Sequence, residues 1–209
     1  MPRKPISARY RRIAPFYDLL DLPFEVLRYR PLRRMLFSGL SGNILEAGVG
    51  TGRNMPFYPP DATITGFDAS PEMLARAKER AASLGLSPTL LQRDVRDTGL
   101  PDRLFDAVVA SFLFCVLAEE DQLPALKELA RLCKPDGEIR LLEYVRPTRG
   151  FRRWLTRAWE PWVRWAYGAS FDRNIERLTL AAGLKTVEAR FVVDELIRHV
   201  VVRPKQRGS

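Results

Sequence analysis

Short runs of branched apolar residues, each closed by an acid or a small polar residue, recur along the middle of the chain. They fall at 44–47, 63–68, 88–92 and 105–112, and roughly four to eight such residues between turn signals is the length of a buried strand. The last run, Phe105-Asp106-Ala107-Val108-Val109-Ala110-Ser111-Phe112, is almost wholly apolar after Asp106, the pattern of a central strand in a parallel sheet. Between the strands the period changes. Pro71 opens a helix over 72–84 that Gly85 ends. A second helix over 122–133 puts Leu123, Leu126, Leu129, Ala130 and Leu132 inward. A turn at 134–137, a strand over 138–145, a helix over 175–182 and two closing strands at 184–192 and 195–202 complete the pattern. Strands alternating with helices predict an α/β fold with a mostly parallel sheet.

The first strand ends in an unusual way. In Asn43-Ile44-Leu45-Glu46-Ala47-Gly48-Val49-Gly50-Thr51-Gly52, glycine occupies every second position after Glu46. With no side chains in the way, a ligand is expected to lie against bare backbone, met by the amides of Gly48, Gly50 and Gly52. A nucleotide-binding turn needs a strand before it and a helix after it. Here Pro56, Pro59 and Pro60 confine any helix after Gly52 to a short turn. The dinucleotide fingerprint also asks for a third small residue, and Arg53 stands in that place. Asp68 closes the second strand twenty residues past Gly48, about the distance at which an acid hydrogen-bonds a ribose hydroxyl pair.

The spacing Glu46-x-Gly48-x-Gly50-x-Gly52 resembles the first motif of class I S-adenosylmethionine-dependent methyltransferases, and Asp68-Ala69-Ser70-Pro71-Glu72-Met73 resembles their second. Good motifs cover about 43–145. The resemblance implies a Rossmann-like, seven-stranded, mostly parallel sheet of order 3-2-1-4-5-7-6 flanked by helices, with S-adenosyl-L-methionine as cofactor. It implies that Glu46 sets a carboxylate beside a cationic sulfonium and ammonium, and that Asp68 holds the ribose. Ala69 and Met73 then face the adenine, Asp94 with Val95 contacts its amino group, and Ser111 and Phe112 lie at the carboxyl edge of the sheet. Ser111-Phe112-Leu113-Phe114 lacks the Pro-Pro turn shared by enzymes that methylate exocyclic amines of nucleic acid. Ile13-Ala14-Pro15-Phe16-Tyr17-Asp18 is similar to the segment before the core in quinone-biosynthesis and phospholipid methyltransferases, where the tyrosine covers the sulfonium. Tyr17 also fits a plain structural aromatic.

Charge alters the picture at the flanks. Of a net +9, residues 1–40 carry nine Lys/Arg against three acids. Tyr10, Ile13, Ala14 and Tyr17 make a helical stripe there, with Arg9, Arg11 and Arg12 off it and Pro15 interrupting. A second basic cluster, from Arg149 to Arg173, contains all four tryptophans. Residues 1–40 therefore read as basic amphipathic helices, acting as a lid, a membrane contact, or both. Residues 41–209 read as the catalytic domain, with a Trp/Arg-rich insertion at 147–173. No run reaches the length of a membrane span, and no signal peptide is apparent. Cys115 and Cys133 read as buried thiols of a reducing cytoplasm, and a single histidine argues against a His-based metal site, so no metal is expected.

A sulfonium-cofactor core with basic, aromatic flanks points to N-methylation of phosphatidylethanolamine toward phosphatidylcholine. The protein would sit peripherally on the anionic inner face of the cell membrane, and the flanks resemble that enzyme class. Phe16, Tyr17 and Tyr144 are candidate aromatic walls for a methylated ammonium, and Tyr17 and Tyr144 are the catalytic candidates. Glu143 is a candidate for the substrate pocket, where a buried carboxylate needs a partner such as an arginine of the second cluster. Arg153 or Arg173 is a candidate for the lipid phosphate. Two alternatives stand beside this: a thiol, quinone precursor or other small lipophile as acceptor, or an RNA-binding methyltransferase. Apolar residues beside the N-terminal arginines favour lipid over nucleic acid, and the oligomeric state is not legible.

Overall fold

The computed structural model describes residues 29–145 and 175–205. Phe16, Tyr17, Arg153, Arg173 and the 147–173 insertion lie outside the described residues. Seven strands form one sheet: β1 (Asn43–Ala47), β2 (Thr63–Asp68), β3 (Thr89–Gln92), β4 (Phe105–Ser111), β5 (Cys133–Tyr144), β6 (Leu184–Val193) and β7 (Ile197–Pro204). Their order is β3-β2-β1-β4-β5-β7-β6. The first five strands run parallel, and β7 is antiparallel to both β5 and β6. This is the order the motif resemblance implies.

Consecutive apolar residues of a doubly covered strand bury opposite faces. Leu45, Val108 and Leu141 pack on one side with helix α3 (Glu119–Leu132) and helix α4 (Ile175–Ala181), joined there by Leu126, Leu129 and Ile175. Ile44, Val109 and Leu142 pack on the other side with helix α1 (Arg30–Phe37), joined there by Leu32, Leu36 and Phe37. Leu36 and Phe37 are fully buried, each worth about 1.5–3 kcal/mol of burial. Arg140 on β5 fastens the end of α1, its guanidinium donating to the carbonyls of Leu36 at 3.1 Å and Ser38 at 2.7 Å. Helix α2 (Pro71–Ser83) has Pro71 in its first turn, and the Ser70 hydroxyl caps it by accepting from Met73 N at 3.2 Å.

Two elements depart from the pattern reading. The stretch 134–137 is not a free turn but part of β5, which begins at Cys133. The β4–β5 register slips between Phe105 and Ala107. At Gly137 a Cβ would stand 2.6 Å from the Asp106 carbonyl oxygen, so only glycine lets the strands approach there. Helix α3 is also rotated from its apolar stripe. Leu123 and Ala130 are only half-buried, whereas Asp121, Gln122 and Glu128 are buried. The acids are satisfied by the loop after β3, where Arg96 pairs with Asp121 at 3.2 Å and Thr98 N donates to Glu128 at 2.9 Å. Paired polar groups can be buried where unpaired ones cannot. Among the described residues no helix is long and apolar enough to cross a membrane.

Candidate functional site

The strand order reverses between β1 and β4, and open α/β sheets bind ligands in the crevice outside their carboxyl ends at such a point. A cleft open to solvent lies there. Its lining includes Asp68, Ala69, Met73, Arg93 and Val95, which follow β2 and β3 on one side of β1, and Ser111, Phe112 and Leu113, which close and follow β4 on the other, with Arg33 and Asn54 bonded to Ser111. Gly48 and Gly50 lie between. Eight residues chosen from sequence for one ligand thus line one cleft: Gly48, Gly50, Asp68, Ala69, Met73, Val95, Ser111 and Phe112.

The glycine loop differs in one respect from the expectation. Its amides are already spent. Gly48 N and Val49 N both donate to the Phe67 carbonyl at 2.9 Å, Gly52 N donates to the Val49 carbonyl at 2.9 Å, and Gly50 N donates to Asp68 Oδ2 at 2.9 Å. The glycines therefore supply room and positive φ, not free donors. Gly50, at φ +54, has nothing within 4 Å of the place a Cβ would occupy, so the space beside it is open cleft. Asp68 is fixed from both sides, its Oδ1 also accepting Ser70 N at 2.9 Å. Burial raises its pKa above the ordinary carboxylate value against the pull of those amides.

Glu46 lies beneath the loop and outside the cleft lining. It is buried, with Oε1 accepting Asn54 Nδ2 at 2.6 Å and Oε2 accepting the Tyr58 hydroxyl. Asn54 passes the network on: its Oδ1 accepts Arg33 Nη1 at 2.8 Å, and its Nδ2 also donates to Ser111 Oγ at 2.9 Å. Loss of hydration pushes Glu46 up to about 7, outweighing the hydrogen bonds of Tyr58 and Asn54 and the charge of Arg33. The Tyr58 phenol is pushed up by its own burial and by the adjacent carboxylate. Arg33, Asn54 and Tyr58 were not singled out from sequence. One signal was present, because Arg33 shares with Leu36 and Phe37 the i, i+3, i+4 stripe of α1 that faces the core.

Other candidates are placed elsewhere. Asp94 is off the cleft, its carboxylate held by Arg96, while its neighbour Val95 lines the wall. Gly52 is off the lining as well and packs on Met55. Tyr144 stands behind the lining, its hydroxyl 2.6 Å from that of Tyr29 and its ring 4.8 Å from Phe112. Glu143 finds no arginine among the described residues. Its carboxylate is buried and accepts three backbone amides, those of Leu113 at 2.7 Å, Phe114 at 2.8 Å and Cys115 at 3.1 Å. Burial nevertheless pushes it up to about 7.

A glycine turn over the end of β1, an acid closing β2 and a cleft at the sheet's switch point define an α/β protein of the nucleoside-binding class. Residues 44–137 match the family described as a methyltransferase domain. The chain is 35% identical to a phosphatidylethanolamine N-methyltransferase of Cereibacter sphaeroides, over 88% of this chain and 89% of that one. It is 36% identical to a demethylmenaquinone methyltransferase of Thermus thermophilus, over 68% of this chain and 66% of that one. The fold is shared with a Burkholderia thailandensis 1,6-didemethyltoxoflavin-N1-methyltransferase solved with bound 1,6-didemethyltoxoflavin and S-adenosylhomocysteine, with a TM-score of 0.69 and 16% identity over 95% of this chain and 87% of that one. The chain belongs to the S-adenosylmethionine-dependent methyltransferases.

Proposed function

We propose that this enzyme methylates the amino group of phosphatidylethanolamine, in steps toward phosphatidylcholine, at an anionic membrane surface. The observation that carries this reading is the match to the Cereibacter sphaeroides relative, which extends over nearly the whole of both chains. Each Lys or Arg near an anionic leaflet adds about 1 kcal/mol of attraction, and residues 1–40 alone carry a net +6, nine Lys/Arg less three acids. The demethylmenaquinone relative spans less of both chains and supports the second reading, a quinone precursor as acceptor.

The cleft fits the methyl donor. The Asp68 carboxylate, already aimed by two amides, is the group for the ribose hydroxyls. Ala69, Met73 and Val95 form the wall for the adenine, with Asp94 beside Val95. The open space at Gly50 receives the amino-acid end, over the buried Glu46. When bound, the donor supplies an electrophilic methyl group on a cationic sulfur, which a neutral amine displaces in line. The chain's own work is then largely positioning, worth up to about 7–11 kcal/mol when the reacting atoms are well aligned. An ammonium near neutral pH must first lose a proton. Tyr17 is the group assigned to hydrogen-bond the amine as that proton passes to water, while Tyr144, its hydroxyl shared with Tyr29, backs Phe112 behind the lining. Phe16 and Tyr17 serve as aromatic walls, with Tyr144 packed behind Phe112, and Arg153 or Arg173 holds the lipid phosphate.

The test is transfer of label from methyl-labelled donor with purified protein. Vesicles of phosphatidylethanolamine mixed with an anionic lipid are one arm, and demethylmenaquinone in neutral vesicles is the other. Label in the phospholipid, with sedimentation on anionic vesicles that weakens as salt rises, is the expected result. Label only in the quinone would replace the first reading with the second. An RNA shift at matched salt without vesicle binding would move the partner surface to nucleic acid.

A further inference from the structure

The acceptor end of the cleft is built around a strained residue. Phe112 follows directly on β4 and has φ +55, a left-handed conformation that is an outlier for a bulky aromatic side chain. Its amide still donates to the Leu142 carbonyl at 2.7 Å, so the strand pairing ends on it. Its ring lies 4.8 Å from that of Tyr144 and 5.5 Å from that of Tyr29, and the Arg33 guanidinium stands 5.7 Å over it. Ser111, Phe112 and Leu113 all line the cleft, at the carboxyl end of β4, which β1 separates from the strand that ends in Asp68. With the sugar at Asp68, this is the end where an acceptor meets the transferable group.

Left-handed backbone at a bulky residue persists only where the surroundings over-determine it. The surroundings here centre on one side chain. The three amides after Phe112 all point at the Glu143 carboxylate, two on Oε1 and one on Oε2. Glu143 comes from β5, one residue past the partner of Ser111 in the β4–β5 register. A carboxylate offers acceptors on both oxygens, whereas the isosteric amide of glutamine offers one acceptor and turns an N–H toward the remaining donor. We propose that Glu143 is a positioning residue for methyl transfer: by gathering the amides of 113–115 it locks Phe112 in the left-handed conformation that sets the acceptor-side wall of the cleft. It neither abstracts a proton nor touches the acceptor. This rests on the methyltransferase cleft and not on which acceptor is used.

Three variants test it: Glu143→Gln, Phe112→Gly and the pair together. Amide hydrogen exchange at 113–115 is expected to accelerate tenfold or more in Glu143→Gln. In the same variant kcat/KM for the acceptor falls at least tenfold, while the Kd for S-adenosylhomocysteine rises less than threefold. Turnover is read on phosphatidylethanolamine vesicles, and on demethylmenaquinone if the vesicles give none, so failure of the acceptor assignment does not obscure the result. Phe112→Gly, which carries no left-handed penalty, keeps the fold and the S-adenosylhomocysteine affinity but loses acceptor kcat/KM by a similar factor. In that background the further change Glu143→Gln lowers Tm by less than half of what it does alone. Equal Tm losses in both backgrounds overturn the proposal. So does unchanged acceptor kinetics in Phe112→Gly, a result readable even if Glu143→Gln fails to fold.

Discussion

Replacing Glu46 by glutamine tests the electrostatics beneath the glycine loop, because the two residues differ there mainly in ionisation. The Glu46 carboxyl is pushed from 4.5 to about 7 by burial, so its charged form is disfavoured in the folded protein by about 3 kcal/mol. Its folded pKa is raised above its unfolded value. Its contribution to stability is therefore fully present below about pH 4.5 and is lost as pH rises through about 7. Glutamine does not ionise, keeps an acceptor for Asn54 Nδ2, and can donate to the Tyr58 oxygen. The variant should thus gain stability relative to the natural protein as pH rises, by about 2–3 kcal/mol between pH 5 and pH 8. At about 2–4 °C per kcal/mol for a domain of this size, the Tm difference between the two proteins should widen by roughly 4–12 °C over that range. Glu143 also titrates near 7, but it is common to both proteins and cancels in the difference. Thermal melts of both at pH 5 and pH 8 suffice. A Tm difference that is the same at both pH values, or that narrows toward pH 8, would refute the reasoning.

Two further outcomes concern the donor site itself. Gly50→Ala puts a methyl group into open cleft at φ +54. It should cost the fold only about 1–2 kcal/mol of left-handed strain, yet weaken S-adenosylhomocysteine at least tenfold by calorimetry; unchanged affinity would remove the loop from the donor site. Asp68→Asn leaves one of the amides of Gly50 and Ser70 facing an NH2 group. It should weaken the same ligand tenfold to a hundredfold while the protein still melts cooperatively, and an affinity within twofold of the natural protein would exclude Asp68 as the ribose ligand.

The local features were legible because local chemistry dictates them. Branched apolar runs make strands wherever a sheet can cover both faces, and the runs at 44–47, 63–68 and 105–112 did so. Pro71 and Ser70 set the start of α2 through contacts within one turn. The end of α3 and the start of β5 were harder, because the sheet pairing that absorbs 134–137 depends on Asp106, far back in the chain.

What the sequence alone determined is the family, the strand order and the cleft wall of Gly50, Asp68, Ala69, Met73 and Val95. The motifs are short-range, so their spacing translates directly into geometry, whereas the strand order is what the resemblance carried by those motifs implies, and the wall is assembled by that order. Only the tertiary structure decided what Glu46 and Glu143 do. Both are buried acids whose partners come from elsewhere: Asn54 and Tyr58 for one, the amides of 113–115 for the other. A carboxylate reads the same in any sequence, whereas its charge and its purpose are set by the donors that folding brings within about 3 Å of it.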